Sequence, residues 1–255
     1  DELAEKQIQD ARLRKLLTNM LYVGVLIELL GLDFEVTKQV VTDQFSGKTK
    51  AIEPNLAAIQ VGMTWAKENL KKQDPFRIEK MNRTQGKLLI EGNAACALGA
   101  MFAGCTVVAW YPITPSSSLV ENFIDFAKEH RHTADGKATY AVVQAEDELA
   151  SIGIVLGASW AGARAMTSTA GPGISLMAEF AGLGYYAEIP AVLFDVQRVG
   201  PSTGLPTRTM QGDIREVSHL SHGDTCHPMI FPASMGECFT MSQEAFDLAE
   251  RLQTP

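Results

Sequence analysis

The chain alternates strand-type and helix-type segments from Gly86 onward, and this alternation constrains its fold more than any other feature. Short apolar runs rich in β-type residues occur at 87–91, 107–111, 140–143, 165–168 and 191–196. Helical patterns lie between them at 94–103, 119–130, 147–163 and 173–186. This order predicts an α/β fold, a doubly wound parallel sheet with helices on both faces. Because ligands bind such sheets at the carboxyl ends of the strands, the loops there carry the functional information.

The first 70 residues show helical spacing without strand-type segments. Apolar residues recur at that spacing from Leu13 to Leu30, and two further amphipathic patterns cover 33–45 and 54–70. Three helices without strands rarely close a core of this size. We therefore interpret residues 1–70 as the helical end of another domain.

Residues 71–85 are polar and contain Pro75, which is typical of a linker between domains. The α/β domain is then predicted to span residues 86–255. The chain begins within a charged helical pattern without an initiator Met and stops just after another amphipathic pattern. It is interpreted as an internal piece of a longer protein, with a processed mature chain as the alternative.

Charge and composition argue against several classes of partner. The net charge of -8 disfavours binding to nucleic acid or to an anionic membrane, because both are polyanions. No apolar run reaches the roughly 18–20 residues that span a bilayer, and no signal-peptide pattern opens the chain. These features predict a cytoplasmic protein.

Metal sites are not predicted. The four cysteines share no C-x-x-C spacing that would hold an iron–sulfur cluster or zinc from this chain, and they are Cys96, Cys105, Cys226 and Cys238. His219 and His222 stand three residues apart, but no third ligand follows at metal-site spacing. An electron acceptor would therefore be housed in another chain.

The first motif, Tyr111-Pro112-Ile113-Thr114-Pro115, follows a predicted strand. Two prolines fix the backbone on either side of Thr114, so its hydroxyl is presented by a stiff loop. The hydroxyls at 116–118 can cap the next helix. A role for Thr114 in a polar contact and a plain rigid turn with a helix cap remain equal alternatives.

The second motif, Gln144-Ala145-Glu146-Asp147-Glu148, enters a helix lined with Ala, Ser and Gly. Acidic residues in a first helical turn are usually capping residues, which accounts for two of the three carboxylates. Glu148 differs because small residues let another chain or a flat ligand approach closely. A carboxylate shielded there from water would suit proton exchange.

The third motif, Thr167-Ser168-Thr169-Ala170-Gly171-Pro172-Gly173, joins a strand to a helix through two glycines. Its backbone N–H groups can hold an anion or the polar edge of a ligand. A Gly-Pro-Gly turn is common, so this signal is weak by itself. The spacing differs from both the dinucleotide fingerprint and the P-loop.

The fourth motif runs from Asp195 to Thr209 and is rich in Gly, Pro and hydroxyls. Arg198 stands just beyond an apolar strand-type run, where a guanidinium can bind a carboxylate through two parallel hydrogen bonds. The alternative is an ordinary surface salt bridge. The loop is longer than a simple connector needs to be.

Together these loops resemble the alpha subunit of 2-oxoacid:ferredoxin oxidoreductases. The matching stretches are YPITPSS (111–117), QAEDELASIG (144–153), TSTAGPG (167–173) and VQRVGPSTGLPTRT (196–209). The similarity covers about residues 86–230, with four motifs in the family's order. Residues 1–70 look like the end of the gamma-type domain that precedes alpha in fused members, which are typically 2-oxoglutarate-type enzymes.

The resemblance implies a role for Glu148 in activating thiamine diphosphate. In such enzymes a glutamate hydrogen-bonds N1′ of the cofactor's aminopyrimidine ring. Glu148 precedes Gly157 by the E-x8-G spacing of their pyrimidine-binding helices, whereas Glu146 is off that register and ranks second. The expected fold is therefore the thiamine-diphosphate pyrimidine-binding domain.

The resemblance also implies roles for residues of the other loops. Thr114, together with Pro112 and Ile113, would contact the substrate, and Arg198 would bind the substrate carboxylate. The residues expected beside the cofactor are Thr169, Gly171 and Gly173. Those expected at an entrance for CoA or substrate are Ser202, Thr203 and Arg208.

The diphosphate-binding half of the family's site has no counterpart in this chain. That half is a GDG followed by a distant Asn, and Gly223-Asp224-Thr225 lacks the second glycine. The resemblance places Mg²⁺ and the [4Fe-4S] clusters on a partner beta subunit. The other expected partners are ferredoxin, CoA as co-substrate, and a second copy of the chain in a dimer of heterodimers.

The implied reaction is oxidative decarboxylation of a 2-oxoacid, with 2-oxoglutarate favoured, to an acyl-CoA with electrons passing to ferredoxin. The reverse reductive carboxylation is equally compatible. The alternatives are a member specific for pyruvate or a branched-chain 2-oxoacid, and a split-subunit thiamine dehydrogenase that does not use ferredoxin. A non-catalytic binding module of the same fold is a third hypothesis, because fold does not fix function.

Overall fold

The computed structural model of the chain describes residues 11–46 and 48–255, which divide into two units between Leu88 and Leu89. The helical pattern predicted at residues 1–10 lies outside the described residues. Residues 70–91 contain neither helix nor strand. The boundaries of the linker and of the two flanking domains stay a prediction.

The first unit contains α1 (Ala11–Leu30), α2 (Phe34–Gln44) and α3 (Thr49–Asn69). Helices α1 and α3 meet backbone to backbone at two glycines. A Cβ on Gly24 would lie 2.0 Å from the carbonyl oxygen of Ile59, and one on Gly62 would lie 2.1 Å from that of Leu21. Only glycine permits this separation, so both positions fix how closely the helices pack.

The second unit contains four strands and six helices among its described residues. The strands are β1 (Val107–Trp110), β2 (Ala141–Gln144), β3 (Ala165–Thr169) and β4 (Val192–Asp195). The helices are α4 (Gly92–Phe102), α5 (Ser117–His130), α6 (Glu148–Trp160), α7 (Gly171–Tyr186), α8 (Ile214–Ser218) and α9 (Met235–Leu252). The predicted α/β fold is confirmed, and these strands end within one residue of their predicted bounds.

The strands form one parallel sheet in the order β2-β1-β3-β4. The chain passes from β1 to β2 at one edge, then crosses back over β1 to reach β3. The direction of winding therefore reverses between β1 and β3. The crevice at such a reversal, outside the carboxyl ends of the strands, is where ligands bind in doubly wound folds.

Buried apolar clusters cover both faces of the sheet. One cluster joins Val108 and Trp110 of β1 to α4, α5 and α9, with Phe123 fully buried at its centre. The other joins Ala109 and Tyr111 to α6 and α7. Alternate residues of β1 thus point to opposite faces, as a strand covered by helices on both sides requires.

The strand predicted at 87–91 is wrong. These residues belong to no strand, and Leu88 and Leu89 are 85% and 104% exposed. The apolar run has the local composition of a strand, but a strand also needs a hydrogen-bonded neighbour. No described segment pairs with it.

Candidate active site

The carboxyl ends of β1 and β3 are joined by two buried side chains. The hydroxyls of Tyr111, which follows β1, and Thr169, which ends β3, lie 2.5 Å apart, and either can donate the hydrogen bond. Val108 pairs with Met166 in the sheet, and Tyr111 and Thr169 stand three residues further along each strand. The contact therefore lies at the crevice where the winding reverses.

Helix α7 starts directly behind this contact, and Gly173 in its first turn has no room for a side chain. A Cβ at Gly173 would lie 2.0 Å from Thr169 Oγ1 and 2.2 Å from the Tyr111 hydroxyl. The same position is 3.2 Å from Cγ of Glu148. Three of the four motifs thus converge here, and we call Tyr111, Glu148, Thr169 and Gly173 the junction cluster.

Glu148 is the first residue of α6 and is half-buried. The preceding Asp147 caps the helix, since its carboxylate accepts a hydrogen bond of 2.8 Å from the Ala150 N–H. Asp147 therefore has the capping role expected of one of the three acids, and Glu146 is exposed. Glu148 is the carboxylate that the helix holds beside the junction.

Tyr111 stays a neutral phenol. Burial raises the pKa of Tyr111 above its ordinary value, and the nearby charge of Glu148 raises it further. The hydrogen bond from Thr169 and the charge of Arg198 act in the opposite direction but do not reverse the shift. A neutral hydroxyl beside a carboxylate can donate a hydrogen bond to it.

Arg198 links the loop after β4 to the loop after β1. Its Nη1 donates a 2.8 Å hydrogen bond to the carbonyl oxygen of Thr114. The residue is only 9% exposed, its Nε has no hydrogen-bond partner, and no described carboxylate lies within salt-bridge distance. A buried guanidinium with one neutral partner has capacity for an anion.

The loop that carries Thr114 presents mixed surfaces. Thr114 and Pro112 are exposed, whereas Ile113 packs against the cluster under α6 and α7. The Oγ of Ser117 accepts a 3.0 Å hydrogen bond from the Ile113 N–H, which stiffens the turn. It is the backbone carbonyl of Thr114 that meets Arg198, so its hydroxyl stays accessible.

The residues predicted at a CoA or substrate entrance lie on an exposed part of the β4 loop. Ser202, Thr203 and Arg208 are all exposed. Val199 pairs with Leu205 as an isolated antiparallel bridge, and its N–H donates to the Arg208 carbonyl at 2.9 Å. The structure does not bring these three side chains into the junction cluster, and their role stays a prediction.

The sequence motifs indicated no role for Tyr111, Asp195 or Asp213. The Tyr111 hydroxyl lies at the centre of the junction cluster, although the residue begins a quoted motif. Asp195 ends β4, and burial raises its pKa to about 8, helped by the like charge of Asp213. Asp195 could have been selected from the sequence, because an acidic residue directly follows an apolar strand-type run there. No local pattern distinguishes Asp213.

A cavity of about 590 Å³ lies elsewhere, along β4. Its walls include Phe194 and Val196, and none of Glu148, Thr114 or Arg198 lines it. Strand β4 has a neighbour on one side only among the described strands, which leaves space at this edge of the sheet. The junction cluster is the better candidate site because functional side chains from several loops meet there.

Within residues 11–46 and 48–255, no helix is both long and apolar enough to cross a membrane. Across that same part of the chain, no three His, Cys, Asp or Glu side chains come together as metal ligands would. Of the histidines, His227 is buried with its two ring nitrogens near the carbonyl oxygens of Leu220 and Pro255.

Two family descriptions match the chain. Residues 98–255 match "Pyruvate flavodoxin/ferredoxin oxidoreductase, thiamine diP-bdg", and residues 1–65 match "Pyruvate ferredoxin/flavodoxin oxidoreductase". The first match includes all four strands and the whole junction cluster. The second covers α1, α2 and most of α3.

Named relatives agree with this family. The 2-oxoacid:ferredoxin oxidoreductase 2, subunit alpha, of Aeropyrum pernix is 37% identical over 93% of this chain and 38% of its own length. The 2-oxoglutarate synthase subunit KorA of Archaeoglobus fulgidus is 46% identical over 66% of this chain and 46% of its own length. The chain therefore spans less than half the length of these relatives.

A solved structure is similar across both units. It is the 2-oxoglutarate:ferredoxin oxidoreductase from Magnetococcus marinus with 2-oxoglutarate, coenzyme A and succinyl-CoA bound. The TM-score is 0.81 and the identity 35%, over 99% of this chain and 42% of that one. With the family match over residues 98–255, the fold and the four motifs, the chain belongs to the thiamine-diphosphate-binding pyruvate flavodoxin/ferredoxin oxidoreductase family.

Proposed function

We propose that the chain is the part of a 2-oxoacid:ferredoxin oxidoreductase that binds the aminopyrimidine end of thiamine diphosphate, with Glu148 as the catalytic carboxylate. The observation that carries the proposal is the convergence of Glu148, Tyr111 and Gly173 at the reversal of the sheet. Three loops far apart in sequence supply one carboxylate, one neutral phenol and a close backbone approach. A lone helix-capping acid would need none of these neighbours.

The residues present fit the pyrimidine end of the cofactor. Glu148 is half-buried, so its oxygens remain reachable from outside the unit. Along the same helix, a Cβ on Gly157 would meet no atom within 4 Å, which leaves an open strip for a flat ring or another backbone. The diphosphate end would require residues from a partner chain.

Thiamine diphosphate, when bound, supplies the electron sink that lets a 2-oxoacid lose carbon dioxide. Glu148 would hold the proton that it shares with N1′ of the ring. The neutral Tyr111 hydroxyl, linked to Thr169, would orient that carboxylate. Gly173 keeps both hydroxyls packed against the start of α7, so the group is held in place before the ligand arrives.

Arg198 would bind the carboxylate of the 2-oxoacid. Its guanidinium is buried, its Nε lacks a partner, and its single described hydrogen bond goes to the neutral carbonyl of Thr114. A substrate carboxylate would satisfy the remaining donors in a bidentate geometry. The exposed Thr114 hydroxyl lies on the loop that Arg198 contacts and would meet the substrate beside it.

The favoured substrate is 2-oxoglutarate, converted to an acyl-CoA with electrons passing to ferredoxin, or formed in the reverse reaction. The relative from Archaeoglobus fulgidus and the structure from Magnetococcus marinus are both named for 2-oxoglutarate, which supports this choice over pyruvate or a branched-chain 2-oxoacid. CoA is the co-substrate of the proposed reaction. Ser202, Thr203 and Arg208 are proposed to line its entrance.

The proposed active complex contains a beta subunit carrying Mg²⁺ and [4Fe-4S] clusters, and a second copy of the alpha subunit. Large apolar side chains on the outer surfaces of α6 and α7 are exposed, and they are Leu149, Trp160, Leu176, Leu183 and Tyr186. Exposed large apolar side chains on two neighbouring helices are typical of a protein interface. Because Leu149 directly follows Glu148, they support an active site completed by another chain.

The test is the purified complex of the full-length subunits, supplied with thiamine diphosphate, CoA and a panel of 2-oxoglutarate, pyruvate and branched-chain 2-oxoacids. We expect reduction of ferredoxin or a viologen dye, fastest with 2-oxoglutarate. A complex that oxidises 2-oxoacids without iron–sulfur absorbance and without ferredoxin reduction would support the split-subunit thiamine dehydrogenase instead. Absence of thiamine diphosphate binding would reject both.

A further inference from the structure

Two acidic side chains lie close enough to interact at the base of the loop that carries Arg198. Asp195 is the last residue of β4, in register with Thr169 of β3. Asp213 stands at the other end of segment 196–212, immediately before α8. Asp195 and Asp213 thus flank the loop, and an interaction between them would hold its two ends together.

Asp213 is held by one side-chain hydrogen bond and lies close to the start of α7. Its Oδ1 accepts a hydrogen bond from Nε2 of Gln197, and its Oδ2 lies 2.6 Å from where a Cβ on Gly171 would stand. Asp195 is different, since its Oδ1 is buried and has no hydrogen-bond partner among the described residues. A proton between the two carboxyl groups supplies the missing hydrogen bond.

The surroundings of Asp195 disfavour its ionised form. Burial contributes most to raising its pKa to about 8, followed by Asp213 and then Glu216 of α8. From α7, Ser175 donates a 2.6 Å hydrogen bond to Glu216, and Gln197 on the loop is neutral. Arg198 is directed to the Thr114 carbonyl instead. The charged groups that act on Asp195 are therefore both acidic.

We propose that Asp195 and Asp213 share one proton, and that this acid pair positions the loop so that Arg198 faces the junction cluster. The inference rests on the proposed function, in which Arg198 binds the substrate carboxylate. With the proton present, a hydrogen bond joins the two ends of segment 196–212. Without it, two like charges repel each other at those ends, and the loop loosens.

The direction of the pH dependence follows from the raised pKa of Asp195. A carboxyl group that is harder to ionise in the folded protein contributes stability that is fully present below its unfolded pKa, about 4. That contribution is lost as pH rises through the folded value of about 8. Loop closure should therefore weaken progressively as pH rises to about 8 and change little above it.

The first test is hydrogen exchange of the amides in segment 196–212, measured from pH 6 to pH 9 in the full complex and corrected for intrinsic exchange rates. We expect wild-type protection to fall by up to roughly tenfold per pH unit from pH 6 to about 8 and to level off above that value. Asp195→Asn cannot ionise and should show no such fall. Asp224→Asn removes an exposed carboxylate from another loop and should keep the wild-type profile.

Protection that is flat in the wild type, or that falls equally in Asp195→Asn, would overturn the shared proton. If Asp195→Asn does not assemble, Asp213→Asn removes the like charge, and the fall in protection should be smaller than in the wild type because burial alone then raises the pKa of Asp195. These measurements need no turnover, so an inactive complex whose loop still titrates would reject the proposed function and leave the acid pair standing.

The second test links the pair to Arg198. The KM for the 2-oxoacid should rise by up to roughly tenfold between pH 7 and pH 8 in the wild type and much less in Asp195→Asn. The kcat should follow the same pH profile in both proteins, because loop position affects binding of the carboxylate. An equal rise of KM in both would contradict positioning through this loop, even if the exchange data support the proton.

Discussion

The junction cluster and the β4 loop hold their functional groups in opposite ways. At the junction, Tyr111 and Thr169 satisfy each other, and Gly173 closes the space behind them. In the β4 loop, by contrast, the buried Nε of Arg198 and the buried Oδ1 of Asp195 each lack a hydrogen-bond partner. The two hydroxyls of the first region therefore have partners within the chain, whereas the second region has hydrogen-bonding atoms without a partner.

This difference assigns distinct tasks to the two regions. A satisfied cluster at the ends of two central strands has one arrangement, which suits a carboxylate that must hold a cofactor in a fixed orientation. Unsatisfied groups on a long loop gain stability when a ligand supplies the missing partner. Changes at the junction should therefore affect chemistry and folding, and changes in the loop should affect substrate affinity.

The largest expected effect is at Glu148. Glu148→Gln keeps the size of the side chain but cannot hold the shared proton, so kcat should fall by about 10²–10⁴-fold. The measurement is ferredoxin reduction by the full complex saturated with thiamine diphosphate and 2-oxoacid. Glu146→Gln, two residues earlier and exposed, should retain most of the activity. The reverse pattern would make Glu146 the catalytic carboxylate.

The next effect is on substrate affinity. It should distinguish the proposed role of the β4 loop in substrate binding from that of the junction cluster in cofactor binding. Arg198→Met removes a charge-assisted interaction with the carboxylate, and KM for the 2-oxoacid should rise by roughly ten- to a hundredfold. Thiamine diphosphate affinity should change little. Arg251→Met removes an exposed guanidinium at the end of α9 and should leave this KM within about twofold. Weaker cofactor binding in Arg198→Met with an unaltered KM would place Arg198 with the junction.

A smaller effect is expected from closing the space at the junction. Gly173→Ala would put a methyl group against the hydroxyls of Tyr111 and Thr169, which should cost about 1–3 kcal/mol of unfolding free energy. Urea unfolding of the full-length subunit followed by circular dichroism measures this loss. Unchanged stability would mean that the junction cluster can rearrange and is not held in one arrangement.

The smallest effect is at Gly157, the matched control in α6. A Cβ there meets no described atom within 4 Å, so Gly157→Ala should increase the unfolding free energy of the subunit by about 0.5–1 kcal/mol through helix propensity. Activity of the complex should nevertheless fall, because the proposed flat ligand or partner backbone needs this strip. Full activity would show that the strip is not used.

The order of helices and strands was predictable because it depends on local spacing of apolar residues. The winding of β2 and β3 around β1 depends on pairing between distant segments, so no local pattern placed Tyr111 against Thr169. The run at 87–91 failed for the same reason, since its composition could not show whether a neighbouring strand exists. Local sequence patterns predict helices and strands, whereas the pairing of distant strands determines which side chains contact one another.

The same limit applies to the site residues: local motifs identified several of them but not the contacts between them. Thr114 and Arg198 were both chosen from their own loops, but their contact through a backbone carbonyl required the two loops to be neighbours. Gly173 was predicted to lie beside the cofactor, and in the structure the groups that leave no room for a side chain there are Tyr111 and Thr169 of the same chain. The partnership of Asp195 with Asp213 spans a whole loop and left no mark on the local sequence.

The position of β1 between β2 and β3 also fixes when the junction can form during synthesis. A ribosome delivers β1 and β2 first, and these two can pair as soon as both have emerged. Tyr111 must then wait on an open strand edge until Thr169 and Gly173 are translated. Slowing translation between residues 144 and 169 would prolong that exposure and leave the future site uncovered for longer.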